Sequence, residues 1–150
     1  MDLAEAAKRV QVECLWTRTR QAGRLLSRIY DDYLLPTGLQ GSQFSVLVGI
    51  TRFGERGATI SKLADKLVMD RTTLTRTIGP LEKDGFVRVA RSSEDARSKV
   101  LLLTRKGEAV LRAGLPLWER AQHDVRSRLG ERHATHLLAE LDVVLGRLDD

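Results

Sequence analysis

The chain contains a single cysteine, Cys14. One thiol cannot close an intramolecular disulfide, and no Cys/His spacing resembles a structural zinc site, a usage that suits a reducing compartment. No apolar run approaches the roughly 20 residues needed to cross a bilayer, so no membrane partner is expected. The first residues, Met1-Asp2-Leu3-Ala4-Glu5, lack the basic start and apolar stretch of a secretory signal. The expected compartment is therefore the cytoplasm. Catalytic signatures are missing as well: there is no Gly-rich phosphate loop, no nucleophile with a matching His and carboxylate, and no paired-carboxylate site. The sequence thus argues against an enzyme and calls for no cofactor. It also lacks internal repeats and low-complexity tracts.

What is present is one domain's worth of chain, 150 residues with 42% apolar side chains, enough to bury a real core. The net charge of +5 is unevenly placed. Between Ala58 and Lys106 there are eleven basic and six acidic residues, whereas the segments before and after carry +2 and −2. A positive surplus gathered on one segment is the footprint of a polyanion binder, because each neutralised phosphate releases condensed counterions.

Apolar spacing divides the chain into six helices and a hairpin. From Ala4 to Leu34 apolar residues recur near every 3.6 positions, predicting one helix of about 45 Å. Pro36 disfavours helical geometry at Leu35, and Pro-Thr-Gly forms a turn. Ser42 is a candidate N-cap for a second helix with Phe44, Leu47, Val48 and Thr51 on its inner face. Thr59 or Ser61 can cap a short third helix, with Ile60, Leu63, Ala64 and Leu67 facing inward. Asp70 caps a fourth, in which Leu74, Ile78 and Leu81 face inward and Asp84-Gly85 closes the helix. Two β-type runs follow, 86–89 and 100–103, around a charged tip. Thr104 caps a helix to about Leu129, kinked near Pro116, and a last helix starts at Glu131. A short helix, tight turn, helix and hairpin make a winged helix-turn-helix. The fold class is mainly α with a small β-hairpin wing, its helical arms lying at the N- and C-terminal ends.

In such a motif the second helix lies in the major groove. Its outward face here carries Arg71, Thr72, Thr73, Thr75 and Arg76. Threonines are poor helix formers to crowd onto an exposed face, but their hydroxyls suit phosphates and bases, their methyls suit thymine, and arginine can bond guanine at two atoms. At the hairpin tip Arg97 suits the minor groove, with Asp95 beside it to orient the guanidinium. Arg91 and Lys99, on the strands, suit phosphates, and Ser61 and Lys62 complete the candidate DNA-binding set.

These segments resemble the multiple antibiotic resistance regulator (MarR) family of winged-helix repressors. The match runs through Leu74-Thr75-Arg76, Leu81-Glu82-Lys83-Asp84-Gly85-Phe86-Val87, Arg91, Asp95-Ala96-Arg97-Ser98 and Leu103-Thr104-Arg105-Lys106-Gly107. Upstream it includes Tyr30, Leu34, Gly38-Leu39 and Gln43-Phe44. The resemblance covers nearly the whole chain. It implies a single domain, 1–150, with 41–107 as the DNA-binding lobe and 1–40 plus 108–150 as a dimerisation region. It also implies Arg97 at the minor groove.

A homodimer follows independently from apolar surface that a small core cannot cover: Val10 and Leu15 near the start, and Leu137, Leu141, Val144, Leu145 and Leu148 in the last helix. The operator would be an inverted repeat. Regulators like these often respond to a ligand, for which Trp16, Tyr30, Tyr33 and Phe44, with Arg20 or Arg52, are candidate residues around a small aromatic or anionic effector. Helical spacing favours core packing for the same aromatics. For Cys14 buried, inert packing is the preferred reading, since reactivity requires a lowered pKa and access. It does not align with the cysteine of the family's peroxide-sensing branch without a shift of half a turn. His133 and His136 lack a third metal ligand. The reading is a cytoplasmic, dimeric DNA-binding transcriptional regulator, a repressor released by a small ligand. The competing reading is a winged-helix module for protein association, which an apolar patch on the fourth helix would favour.

Overall fold

The computed structural model describes residues 2–148. Met1, Asp149 and Asp150, which the sequence reading includes in its single domain, lie outside the described residues. In chain order the elements are α1 (Leu3–Glu13), α2 (Leu15–Leu34), α3 (Gly41–Thr51), α4 (Ile60–Leu67), α5 (Arg71–Lys83), β1 (Val87–Arg91), β2 (Lys99–Leu103), α6 (Arg105–Leu129) and α7 (Glu131–Leu148). Two compact units are formed: one is Leu34–Trp118, and the other combines the chain up to Tyr33 with that from Glu119 onward.

The core of the 34–118 unit is built around α3. Phe44, Val46, Leu47 and Ile50 are all buried, and α3 packs against α4, α5 and β2. Because it is covered on several sides, its apolar residues do not fall on one stripe. Val48 and Thr51, expected inside, are exposed, while Val46 and Ile50 are buried in their place. The helix also starts earlier than expected. Gln40 rather than Ser42 is the cap, its backbone N–H donating to Gln43 Oε1 at 2.9 Å. In contrast α4 and α5 follow their stripes: Leu63 and Ala64 on one, and Leu74, Ile78 and Leu81 on the other, are buried. Leu34, Leu39 and Leu111 join the same core. Burying each large aliphatic side chain stabilises the unit by about 1.5–3 kcal/mol.

The hairpin is antiparallel, with Val87 opposite Leu103 and Arg91 opposite Lys99. It is longer at its outer end than the expected 86–89 and 100–103. A feature with no sequence signature is the bridge from Ala58 to Leu101, whose N–H and C=O exchange hydrogen bonds of 3.0 and 2.8 Å. One paired residue has no alternation to betray it. Gly57, at φ +73°, lets this segment approach: a Cβ there would stand 2.8 Å from the Leu101 carbonyl oxygen.

In the helical unit the expected single first helix is two. Cys14 has extended backbone (φ −75°, ψ 109°), ending α1, and its carbonyl accepts the first bond of α2 from Arg18 at 3.0 Å. Its thiol bonds the hydroxyl and backbone N–H of Thr17, which together hold its pKa below the ordinary thiol value. Cys14 is half-buried and stands at the break between α1 and α2, so it is not the buried packing residue expected. Polar contacts join the remaining elements: Tyr30 bonds Gln122, Arg120 stacks 5.7 Å from the Tyr33 ring, and Arg126 pairs with Glu131 and reaches Thr135 at 3.0 Å. Few apolar residues are buried here. Among the described residues they are the small Ala121 and Ala134, and Val125. No helix among the described residues is long and apolar enough to cross a membrane.

Candidate nucleic-acid interface

The outward face of α5 is set by its cap. Asp70 accepts from the Thr73 backbone N–H at 2.8 Å and from the Thr73 hydroxyl at 2.5 Å. These bonds, the hydroxyl first, hold its carboxyl below the usual range. The Thr73 hydroxyl is thus engaged within the helix, as is that of Thr77, which donates to the Thr73 carbonyl at 3.0 Å. Arg71, Thr72, Thr75 and Arg76 remain exposed. At 100° per residue they share a sector of about 140°, in which Thr72 and Arg76 stand opposite Leu74, Ile78 and Leu81 while Arg71 borders Ile78. Neither arginine has an ion-pair partner among the described residues. In α4 the cap is Thr59, which accepts from the Lys62 backbone N–H at 3.2 Å. The Lys62 side chain is exposed and Ser61 is half-buried.

The end of α5, the start of the wing and the start of α6 are stitched together. The Thr104 hydroxyl donates to the Gly85 carbonyl at 2.6 Å and accepts from the Gly107 N–H at 3.0 Å. Lys106 Nζ bonds the Asp84 carbonyl at 2.7 Å and lies 5.1 Å from the Phe86 ring centre. A Cβ on Gly107 would stand 2.0 Å from the Phe86 carbonyl oxygen, so only glycine allows this approach. The Asp84-Gly85-Phe86 and Thr104-to-Gly107 motifs are therefore two halves of one joint. It fixes the wing's root beside the end of α5.

At the wing tip the expected orientation of Arg97 by Asp95 is not what holds the loop. Asp95 Oδ1 accepts from the Arg97 backbone N–H and Oδ2 from the Ser98 hydroxyl, both at 2.9 Å. The carboxylate shapes the turn, as aspartate commonly does two residues upstream, and those bonds hold its pKa down. The Arg97 guanidinium is left exposed and unpaired among the described residues. Glu94 instead pairs with Arg56 at 3.3 Å, tying the tip to the turn after α3. The exposed cations Arg91 and Lys99 face each other across the last rung of the hairpin. Like charges opposed in this way repel.

The six candidate effector residues do not form one cluster within either unit. Trp16 is 70% exposed, with Arg20 over its ring at 5.4 Å. Tyr30 and Tyr33 bind Gln122 and Arg120 in the same unit, whereas Phe44 is in the core of the other and Arg52 is exposed there. Sequence reading missed a cleft of about 770 Å³ in the 34–118 unit, whose lining includes Val48, Arg88, Leu102, Arg112 and Leu115. The two stray residues of α3, Val48 and Thr51, line it. Of the histidines, His136 lies 3.4 Å from Glu140 at the surface of α7.

Comparison with known proteins places this geometry. The MarR family model matches residues 39–99. The chain is 30% identical to the transcriptional activatory protein BadR of Rhodopseudomonas palustris, over 99% of this chain and 88% of BadR. Among solved structures it is similar to the M. tuberculosis transcriptional regulator MosR, with 35% identity and a TM-score of 0.75 over 91% of this chain and 98% of that one. MosR in complex with DNA is 37% identical, with a TM-score of 0.69, over 87% and 98% of the two chains. The transcriptional repressor CouR, bound to a 23-mer DNA duplex, is 26% identical, with a TM-score of 0.78, over 90% and 94%. These relatives are transcriptional regulators and not enzymes. With its hairpin wing beside a helix-turn-helix, the chain belongs to the MarR family of winged-helix transcriptional regulators.

Proposed function

We propose that the chain is a cytoplasmic homodimer that reads an inverted-repeat operator in double-stranded DNA and represses transcription by occupying it. The observation that carries this reading is the outward face of α5, where Arg71, Thr72, Thr75 and Arg76 are exposed and unengaged beside a wing whose root is fixed. The major groove is the natural receptor for that face, with Arg97 in the adjacent minor groove. Lys62, Arg91 and Lys99 contact phosphates, and Ser61 lies beside them at the start of α4. Thr73 and Asp95 act one step back, by holding the helix start and the wing tip. MosR and CouR, both similar over most of the chain, have structures with DNA.

Residues 41–107 carry the DNA contacts, and 1–40 with 108–150 make the dimer. Val10, Leu15, Leu137, Val144, Leu145 and Leu148 are exposed and Leu141 is half-buried, a set that a second copy would cover. A small aromatic or anionic effector releases the operator. The experiment is selection of bound DNA from a random pool at near-physiological salt. Enrichment of an inverted repeat is expected, and a pool that emerges without sequence preference overturns the reading.

A further inference from the structure

We propose that Val68, in the turn between α4 and α5, is itself part of the DNA-contacting surface, its methyl groups packing on the apolar parts of the operator beside the first turn of α5. The inference rests on the DNA-binding reading above. Val68 is the one non-glycine residue with positive φ among the described residues, at φ 49°, ψ 50°. The turn itself is well made: the Met69 N–H bonds the Ala64 carbonyl at 2.9 Å and the Val68 N–H bonds that of Asp65 at 3.2 Å. Glycine, or else asparagine, ordinarily takes the left-handed position after a helix. A β-branched residue there crowds its Cβ against the backbone.

Packing within the chain does not offset that strain, since the Val68 side chain is 62% exposed. On both counts, conformation and solvation, a glycine or asparagine would serve the fold better. A strained residue that the fold does not need points to a function. Leu67 and Met69 on either side are packed against the core, which anchors the turn and holds Val68 outward at a fixed place. It precedes Asp70, the cap, by two residues and Arg71 by three. A rigid apolar group at that place meets the two apolar features a duplex offers, the thymine C5-methyl and the deoxyribose.

The test compares Val68→Gly and Val68→Asn with the wild-type full chain, in thermal melting and in binding to the selected operator. Relief of strain raises the melting midpoint of at least one variant by about 2–4 °C, while both bind the operator about fivefold more weakly. The operator is then made with deoxyuridine for thymine, and an unrelated duplex is titrated in parallel. A thymine contact shows as a loss that vanishes on the deoxyuridine operator, and a deoxyribose contact as an equal loss on every duplex. Undiminished operator binding by both variants overturns the proposal, as does a fall in the melting midpoint of both. If the wild-type chain selects no DNA, the DNA-binding reading fails and takes this inference with it; unaltered variants beside a binding wild type remove only Val68.

Discussion

The two compact units differ in how much apolar surface they leave uncovered. In the 34–118 unit a core of large aliphatic side chains is buried, whereas Arg71, Arg76, Arg91, Arg97 and Lys99 stand exposed without ion-pair partners among the described residues. In the helical unit Arg126 and Arg128 pair with Glu131 and Asp124, and Arg20 and Arg120 lie over aromatic rings. There it is Leu15, Trp16, Val144, Leu145 and Leu148 that face water. An unpaired cation seeks a polyanion, and an uncovered leucine seeks another apolar surface. On the proposed function, the first unit would meet DNA and the second a further copy of the chain.

The comparison breaks most decisively at α7. Leu145→Asp places a charge on the uncovered face of each copy, and the dimer is expected to weaken by at least about 100-fold, as read by sedimentation equilibrium. An unchanged mass would show that this face is not the dimer surface. Next comes the joint at the wing root. Gly107→Ala improves helix propensity, yet its Cβ must displace the Phe86 backbone, and a net loss of about 2 kcal/mol is expected. In a thermal melt the midpoint would drop by about 4–8 °C; a rise would mean that the close approach is not needed.

A smaller effect sharpens the account of the free cations. Arg97→Ala should weaken operator binding about tenfold and lower the preference for A·T pairs flanking the half-sites, while Lys99→Ala weakens all DNA alike and reduces the salt slope by about one. Titrations at several salt concentrations separate the two, and identical behaviour would remove Arg97 from minor-groove readout. The smallest effect concerns acid. Asp70 and Asp95 have folded pKa values below their unfolded ones, so their contribution to stability is present above the ordinary carboxylate range and lost as pH falls through the depressed values. Asp70→Asn, which keeps the cap but not the charge, should flatten the melting midpoint between pH 5 and 3, read by circular dichroism at about half-unit steps.

Much of this was legible in the residues. The caps Thr59, Asp70 and Thr104, and the inner faces of α4 and α5, follow from local chemistry and a single buried stripe. Where the sequence misled, the cause was a competing interaction that periodicity does not register. At Cys14 apolar spacing continues unbroken, but the extended backbone there ends one helix and starts another. In α3 burial on several sides erases the stripe, so Val48 was placed inside and Ile50 overlooked. The sequence pairs Asp95 with the Arg97 guanidinium, whereas the bond runs from the Arg97 backbone N–H and leaves the guanidinium unpaired among the described residues. The Ala58 bridge, one residue long, had no pattern to read.

On the proposed function, the opposition of Arg91 and Lys99 on the last rung of the hairpin bears on how DNA binding would respond to salt. Phosphates bound near this rung would offset the repulsion between the two cations, so relief of that repulsion would add to the binding. Added salt would then act at both ends of the equilibrium, competing for the phosphates and screening the repulsion beforehand. The number of phosphates inferred from a salt titration would exceed the number the protein touches, and the excess would measure the repulsion relieved.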